Sequence, residues 1–161
     1  MPFFKDKTGA LHFLDDVRFA HLLPEGSSEV TDAEAASLQK PTADQAKSAK
    51  WAAIKAERDR RTENGGYQVG TKWFHSDQKS RSQQLGLVLL GANIPVGLQW
   101  KTMDGSFVIM TQTLAEQILA AGAASDQAIF AAAEAHKAAM EASTAHASYD
   151  FSAGWPATFA G

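Results

Sequence analysis

Alanine is concentrated in two stretches of this chain, residues 43–56 and 115–142, and these stretches limit it to a fold with long helices. Alanine has the highest helix propensity of all residues, so both stretches predict helices. Thirty of the 161 residues are alanine, which leaves 42 larger hydrophobic side chains for a core. We therefore expect a modest core and long Ala-rich helices that can pack closely against a partner.

Capping residues set the helix boundaries. Thr31-Asp-Ala-Glu34 predicts a capping box that opens a short helix, which Pro41 ends. Thr42-Ala-Asp-Gln45 predicts a second helix, reaching about Glu63. A third helix is expected from Ser76-Asp77 to about Leu90, with a buried stripe of Leu85, Val88 and Leu89. The last one begins at Thr111 or Thr113 and ends near Ala142; its buried stripe is Ile118, Ile129, Phe130, Ala133 and Met140.

Short β-hairpins separate these helices. Phe3-Phe4 and Leu11–Leu14 flank a polar turn that contains Gly9. Residues 67–75 are predicted to pair around Gly70-Thr71, and residues 98–110 around Asp104-Gly105, where we expect a type I′ turn. The elements predict an α+β fold: a small N-terminal β-rich unit, residues 1–40, then an α-ββ-α-ββ-α body with long Ala-rich helices, residues 41–161.

The charge is distributed in blocks. Residues 1–44 carry a net charge of -4, residues 45–101 carry +6 and residues 102–161 carry -5, which sum to -3. The basic block can bind an acidic partner or pair with its own acidic neighbours, and the Glu and Asp residues interspersed in it favour the second interpretation.

Composition excludes several classes of site and location. The absence of cysteine removes disulfides, Cys-based zinc sites and thiol nucleophiles, and it fits a cytoplasmic protein. The longest strongly apolar run, Leu85–Leu90, is far shorter than the roughly 20 residues of a membrane span. The first residues lack the pattern of a signal peptide. We expect a soluble protein with no membrane partner.

Motifs for catalysis are missing, and we expect no enzyme, cofactor or metal site. The sequence has no phosphate-binding glycine loop, no H-E-x-x-H and no G-x-S-x-G. His75-Ser76-Asp77 could supply part of a catalytic triad, but the ordinary interpretation is a histidine at a strand end followed by a helix cap. A nucleic-acid interface is opposed by the acidic ends of the chain; its phosphate contacts would be Lys47, Lys50, Lys55, Arg58, Arg60 and Arg61.

Aromatic residues at both ends of the chain point to partner binding, because aromatic side chains commonly anchor interfaces. The alternative is that they pack on the chain's own core. The predicted partner-binding residues are Phe3, Phe4, His12, Phe13, Leu14 and Phe19 near the N-terminus, with Tyr149, Phe151 and Trp155 near the C-terminus.

Three segments resemble a domain of unknown function found in bacteriophage and prophage proteins. They are Gly66–Asp77 with Ser80-Arg81 and Leu85-Gly86 after it, Gly97–Gly105, and Tyr149–Pro156, so the similarity spans about residues 45–156. A shorter N-terminal pattern, Phe19–Gly26 followed by Glu29–Glu34, is similar to the opening of tail fibre assembly proteins.

The two resemblances together imply a tail fibre assembly chaperone of a phage, a prophage or a phage-tail-like bacteriocin. Such a protein would bind the distal, C-terminal region of a trimeric fibre in the host cytoplasm, assist its folding without ATP, and in some systems stay on the particle. The resemblance implies no catalytic residues, and a homo-oligomer is possible. The alternatives are a permanent fibre-tip or adhesin subunit, or a small nucleic-acid-binding regulator.

Overall fold

The computed structural model describes residues 2–160 of a chain that divides into two compact units, unit 1 (Met1–Ala46) and unit 2 (Lys47–Gly161). The division falls six residues beyond the predicted boundary at residue 40, inside the first turn of the helix Ala43–Asn64. The fold is α+β, as the sequence predicts.

Unit 1 is built on a three-stranded antiparallel sheet. Its strands are β1 (Phe3–Lys5), β2 (Leu11–Phe13) and β3 (Ser28–Val30), in the order β2-β1-β3. A 3₁₀ helix at Val17–Leu22 and helix α1 (Asp32–Gln39) complete the unit. The predicted hairpin and capping box are confirmed. The sequence did not predict β3 or the 3₁₀ helix, which are too short to show a period.

Unit 2 has the α-ββ-α-ββ-α order expected from the sequence. Helix α2 (Ala43–Asn64), which begins before the unit boundary, is followed by β4 (Tyr67–Val69), β5 (Lys72–Phe74), α3 (Gln78–Leu90), β6 (Gln99–Lys101), β7 (Phe107–Ile109) and α4 (Gln112–Ala142). Asp77 caps α3, and Thr111 caps α4 in preference to Thr113. Each strand pair is antiparallel.

The two hairpin turns differ in type. Gly70 has φ of 61°, as the first central residue of a type II′ turn requires. The predicted type I′ turn at Asp104-Gly105 is wrong, because only Gly105 has a positive φ, 82°. Gly105 N–H donates to the Thr102 carbonyl at 2.9 Å, which gives a three-residue loop ending in a left-handed glycine.

The core of unit 2 consists of two clusters. The first contains Tyr67, Phe74, Leu87, Met110, Ala115 and Ile118, where both hairpins and α3 pack on the first half of α4. The second contains Ile54, Ala133 and Met140, where α2 packs on the second half of α4. Phe130, predicted in the buried stripe of α4, is exposed, and the Arg58 guanidinium lies 4.6 Å from its ring centroid.

The predicted buried stripe of α3 is wrong in two of its three residues. Leu85 and Leu89 face solvent, and Leu89 is 80% exposed. Gln84 and Leu87 are buried instead. The Gln84 carboxamide accepts a hydrogen bond from the Tyr67 hydroxyl and donates to the His75 carbonyl at 3.0 Å. Because these bonds satisfy its polar atoms, Gln84 can be buried at little cost. A search for periodic apolar residues does not identify a buried polar residue of this kind.

Arg81 joins distant parts of unit 2. Its guanidinium donates to both carboxylate oxygens of Asp126 in α4, at 2.7 and 2.9 Å. It also donates to the carbonyls of Thr62, near the end of α2, and of Ser76, just before α3. The planar guanidinium has five N–H donors and satisfies these four acceptors at once, whereas a lysine ammonium has only three donors.

Candidate functional site

The candidate site is a groove of about 500 Å³ in unit 1, between β2 and the 3₁₀ helix. We call it the unit 1 groove. Asp16 fixes the start of the 3₁₀ helix by accepting from Arg18 N–H at 2.9 Å and from the Arg18 guanidinium. The residues that line the groove are Leu11, His12, Phe13, Leu14, Asp15, Phe19, Leu22 and Leu23.

Large apolar side chains around this groove are left in water. Leu22 is 70% exposed, Phe19 51% and Phe13 48%; Val17, in the same 3₁₀ helix, is 71% exposed. Single exposed apolar residues are ordinary, but several around one concave surface are typical of an interaction site. The groove therefore has the character of a protein-binding surface.

The turn beside the groove is held by Asp6. Its carboxylate accepts from the Thr8 hydroxyl, the Thr8 and Ala10 amides, and His12 Nε2 at 2.9 Å. These hydrogen bonds, that of the Thr8 hydroxyl first, hold the pKa of Asp6 well below its usual range. The imidazole of His12 therefore stabilises the hairpin turn, and partner contact by His12 stays a prediction.

The other N-terminal residues predicted to bind a partner do not form one surface. Phe3 lies directly across from Phe13, and their ring centroids are 5.3 Å apart. Phe4 pairs with His12 and points to the opposite face of the sheet, since side chains alternate along a strand. Leu14 lines the groove but is buried. Phe13 and Phe19 remain as exposed groove residues.

Val17 and Leu22 were missed by the sequence reasoning. They lie in a six-residue 3₁₀ helix, VRFAHL, whose apolar residues follow neither the helical nor the strand period. The available signal was Asp16 as a cap followed by a short, largely apolar run.

The C-terminal aromatic residues pack on their own chain. Tyr149, Phe151 and Trp155 are half-buried against the cluster of Ile54, Ala133 and Met140. Trp155 Nε1 donates to the Phe151 carbonyl at 2.7 Å, and the Tyr149 hydroxyl lies 3.0 Å from His136 Nδ1. These contacts match the alternative interpretation, packing on the chain's own core, and partner binding by these three residues stays a prediction.

The basic residues of α2 also contact groups within unit 2. Arg60 and Arg61 both pair with Glu57, and Arg58 pairs with Asp59. Lys50 and Arg61 lie over the rings of Phe151 and Trp155, at 5.6 and 5.1 Å from the centroids. The basic block therefore pairs largely with its own neighbours, which weakens the nucleic-acid interpretation.

The His75-Ser76-Asp77 segment serves the framework. Ser76 is buried; its hydroxyl donates to the Glu63 carbonyl at 3.0 Å and accepts from Gly66 N–H at 2.9 Å. Asp77 accepts from the amide and the hydroxyl of Ser80, which lowers the pKa of its carboxyl. Both Ser76 bonds go to backbone atoms, so the hydroxyl is not oriented by His75 as a nucleophile would be.

Within residues 2–160, no group of three or more His, Asp or Glu side chains is placed to hold a metal ion. No helix in the same range is both long and apolar enough to cross a membrane.

Comparison with known proteins agrees in part with the predicted resemblance. The family model described as "Domain of unknown function (DUF4376)" matches residues 45–153. Neither curated proteins nor solved structures give a significant match. The match leaves out the N-terminal unit with its groove, and its description names no activity or partner, so the fibre-chaperone role stays a prediction. Because the family model covers well over half of the chain, the protein belongs to the DUF4376 family.

Proposed function

We propose that this protein is a tail fibre assembly chaperone of a phage, a prophage or a phage-tail-like bacteriocin. Unit 1 binds the distal region of a trimeric fibre through the unit 1 groove, in the cytoplasm of the bacterial host. The sequence support is the resemblance of Phe19–Gly26 and Glu29–Glu34 to the opening of tail fibre assembly proteins. Phe19 and Leu22, which belong to that pattern, are also exposed groove residues.

The observation that carries the proposal is the set of exposed apolar side chains around one groove. Phe13, Phe19 and Leu22 are each about half exposed or more, and all three line it. Burying apolar surface contributes about 25 cal/mol per Å², so a partner that covers the groove gains stability from each of these side chains.

A fibre trimer needs its exposed apolar surface to be bound by another protein while it assembles. Extended β-rich trimers form slowly because their contacts are distant in sequence, and their unpaired strands and apolar tips can aggregate in the meantime. A protein that covers such a tip acts by binding alone and needs no nucleotide. Unit 2 then serves as the body that carries unit 1.

Co-expression with a tail fibre of the same phage, prophage or bacteriocin tests the proposal. We expect soluble trimeric fibre only when the protein is present, and a complex whose mass by light scattering gives the stoichiometry. Fibre that is soluble and trimeric alone, with no complex, would contradict the proposal. A fixed number of copies in mature particles would favour a permanent tip subunit over a transient chaperone.

A pair of double variants locates the binding surface. Phe13→Ser with Phe19→Ser removes two apolar contacts from the groove, and we expect it to abolish co-purification of the fibre. The matched control is Phe107→Ser with Ile109→Ser, which removes two side chains of similar exposure, 59% and 52%, from a hairpin of unit 2. This control should keep binding. Circular dichroism checks that both variants retain their helix content; binding by the groove variant would refute the assignment.

A further inference from the structure

Strand β2 lies at one edge of the unit 1 sheet, and its hydrogen bonds to β1 determine which of its backbone groups point outward. In an antiparallel pair, residues that exchange hydrogen bonds alternate with residues whose N–H and C=O point outward. Leu14 N–H donates to the Pro2 carbonyl at 3.3 Å, and Asp6 N–H donates to the Ala10 carbonyl at 3.0 Å. The bonded pair between them is therefore Phe4 with His12.

This alternation identifies the residues of the free edge. Leu11 and Phe13 stand opposite Lys5 and Phe3 as non-bonded pairs, so their N–H and C=O groups point away from β1. In the strand order β2-β1-β3, β1 is the one neighbour of β2 among the described residues. Two residues thus offer four backbone hydrogen-bonding groups along this edge.

The unit 1 groove runs along the same edge. One wall is formed by consecutive residues 11–15, and the other by Phe19, Leu22 and Leu23. An extended segment lying in the groove can bond to Leu11 and Phe13. Because its side chains alternate in direction, every second one meets the apolar wall.

The opposite edge of the sheet is less suited to pairing. By the same alternation, β3 directs only the backbone groups of Glu29 outward. The Glu29 side chain is exposed and acidic, and charged residues on an edge strand discourage pairing with another chain. Strand pairing is therefore favoured at β2.

The charge of unit 1 indicates which extended segments can bind in the groove. Unit 1 contains four basic and eight acidic side chains, a net charge of -4. Asp15 is exposed and lines the groove, while no Lys or Arg is among the lining residues. A complementary segment carries Lys or Arg beside its apolar residues.

We propose that unit 1 binds its partner by β-strand addition. An extended segment with alternate apolar side chains and a flanking Lys or Arg pairs with Leu11 and Phe13 as a fourth strand, and its apolar side chains contact Phe19 and Leu22. The proposal rests on the proposed function, in which this segment belongs to the fibre; main-chain bonds supply affinity and the groove supplies specificity.

Residue-resolved hydrogen exchange on the full-length protein, free and in the co-expressed fibre complex, tests this mode. In the free protein, the His12 amide should exchange more slowly than those of Leu11 and Phe13. In the complex, we expect the Leu11 and Phe13 amides to slow by at least tenfold. A complex without that slowing overturns strand addition and leaves the chaperone function standing. No complex at all overturns both, and concentration-dependent protection in the free protein would instead identify a second copy as the occupant.

A matched pair of variants tests the backbone bond directly. Leu11→Pro removes one outward N–H, whereas Leu11→Ala removes the side chain and keeps the N–H. Strand addition predicts binding at least tenfold weaker for Leu11→Pro than for Leu11→Ala, and equal affinity would overturn it. Protection of the His12 amide verifies that β2 remains paired in both variants. Asp15→Asn should reduce the dependence of association on salt concentration. An unchanged salt dependence would refute the prediction that the bound segment carries a Lys or Arg beside its apolar residues.

Discussion

Gly122 lies inside α4 where the ring of Tyr67 packs directly on the helix. A Cβ atom at Gly122 would lie 3.3 Å from two ring carbons of Tyr67, which is itself buried and hydrogen-bonded to Gln84. Overpacking such a site costs about 1–3 kcal/mol, against about 1 kcal/mol gained from the higher helix propensity of alanine. We expect Gly122→Ala to lower the free energy of unfolding by about 1 kcal/mol, measured by urea denaturation.

Gly86 provides the control for that substitution. It also lies inside a helix, α3, but a Cβ atom there would have no neighbour within 4 Å. Gly86→Ala should raise the free energy of unfolding by up to about 1 kcal/mol. Equal effects of the two substitutions would contradict the packing argument.

The β6–β7 hairpin is tied to its neighbour by the carboxylate in its turn. Asp104 accepts from Lys72 Nζ of β5 at 2.8 Å and from the hydroxyls of Ser106 and Thr102. The Lys72 ammonium first, then the two hydroxyls, hold the pKa of Asp104 well below its ordinary value of 3.8. A turn residue thereby links two hairpins that are distant in sequence.

This arrangement predicts a dependence of stability on acid. Because the folded-state pKa of Asp104 is depressed, its contribution is fully present above the unfolded-state pKa near 3.8 and is lost as the pH falls below it. Asp104→Asn should therefore be less stable than the wild type at pH 7, and the difference should shrink between pH 4 and pH 2. Urea denaturation across this range measures it. A difference that stays constant with pH would contradict the role of the carboxylate.

Helix α3 illustrates how far an element can be predicted. Its ends were predicted at Ser76-Asp77 and about Leu90, and the structure has Asp77 as the N-cap and Gly91 as the C-cap. Its orientation could not be predicted in this way, because the buried residue Gln84 is polar and bonds to Tyr67 of β4 and to the carbonyl of His75, just after β5. Short-range signals therefore gave the limits of the helix, and long-range hydrogen bonds selected its buried face.

The whole molecule consists of two compact units, and we expect unit 2 to fold without unit 1. Both core clusters of unit 2 use residues from Trp51 onward. A shortened chain, residues 41–161, keeps the Thr42 cap of α2 and should unfold cooperatively in urea with helical circular dichroism. It should fail to bind the fibre.

A second shortened chain, residues 66–161, is the control for that experiment. It lacks α2 and thus Trp51 and Ile54, which pack in the second cluster. We expect its stability to be markedly lower, because removing them exposes Ala133 and Met140. A 41–161 chain that unfolds without cooperativity would contradict the independence of unit 2.

Sequence alone established the α-ββ-α-ββ-α order, the helix caps and the N-terminal hairpin, because these depend on residues close together in the chain. It also pointed to Phe13 and Phe19 as partner-binding residues. Tertiary structure decided which aromatic side chains are exposed and can contact a partner. Tyr149, Phe151 and Trp155 are half-buried against a cluster that includes Ile54 of the distant helix α2. Leu14 is buried, whereas Leu22 joins Phe13 in lining the groove only because the chain turns back through the 3₁₀ helix. Burial and the grouping of side chains around one groove depend on contacts between distant segments, and local patterns do not contain that information.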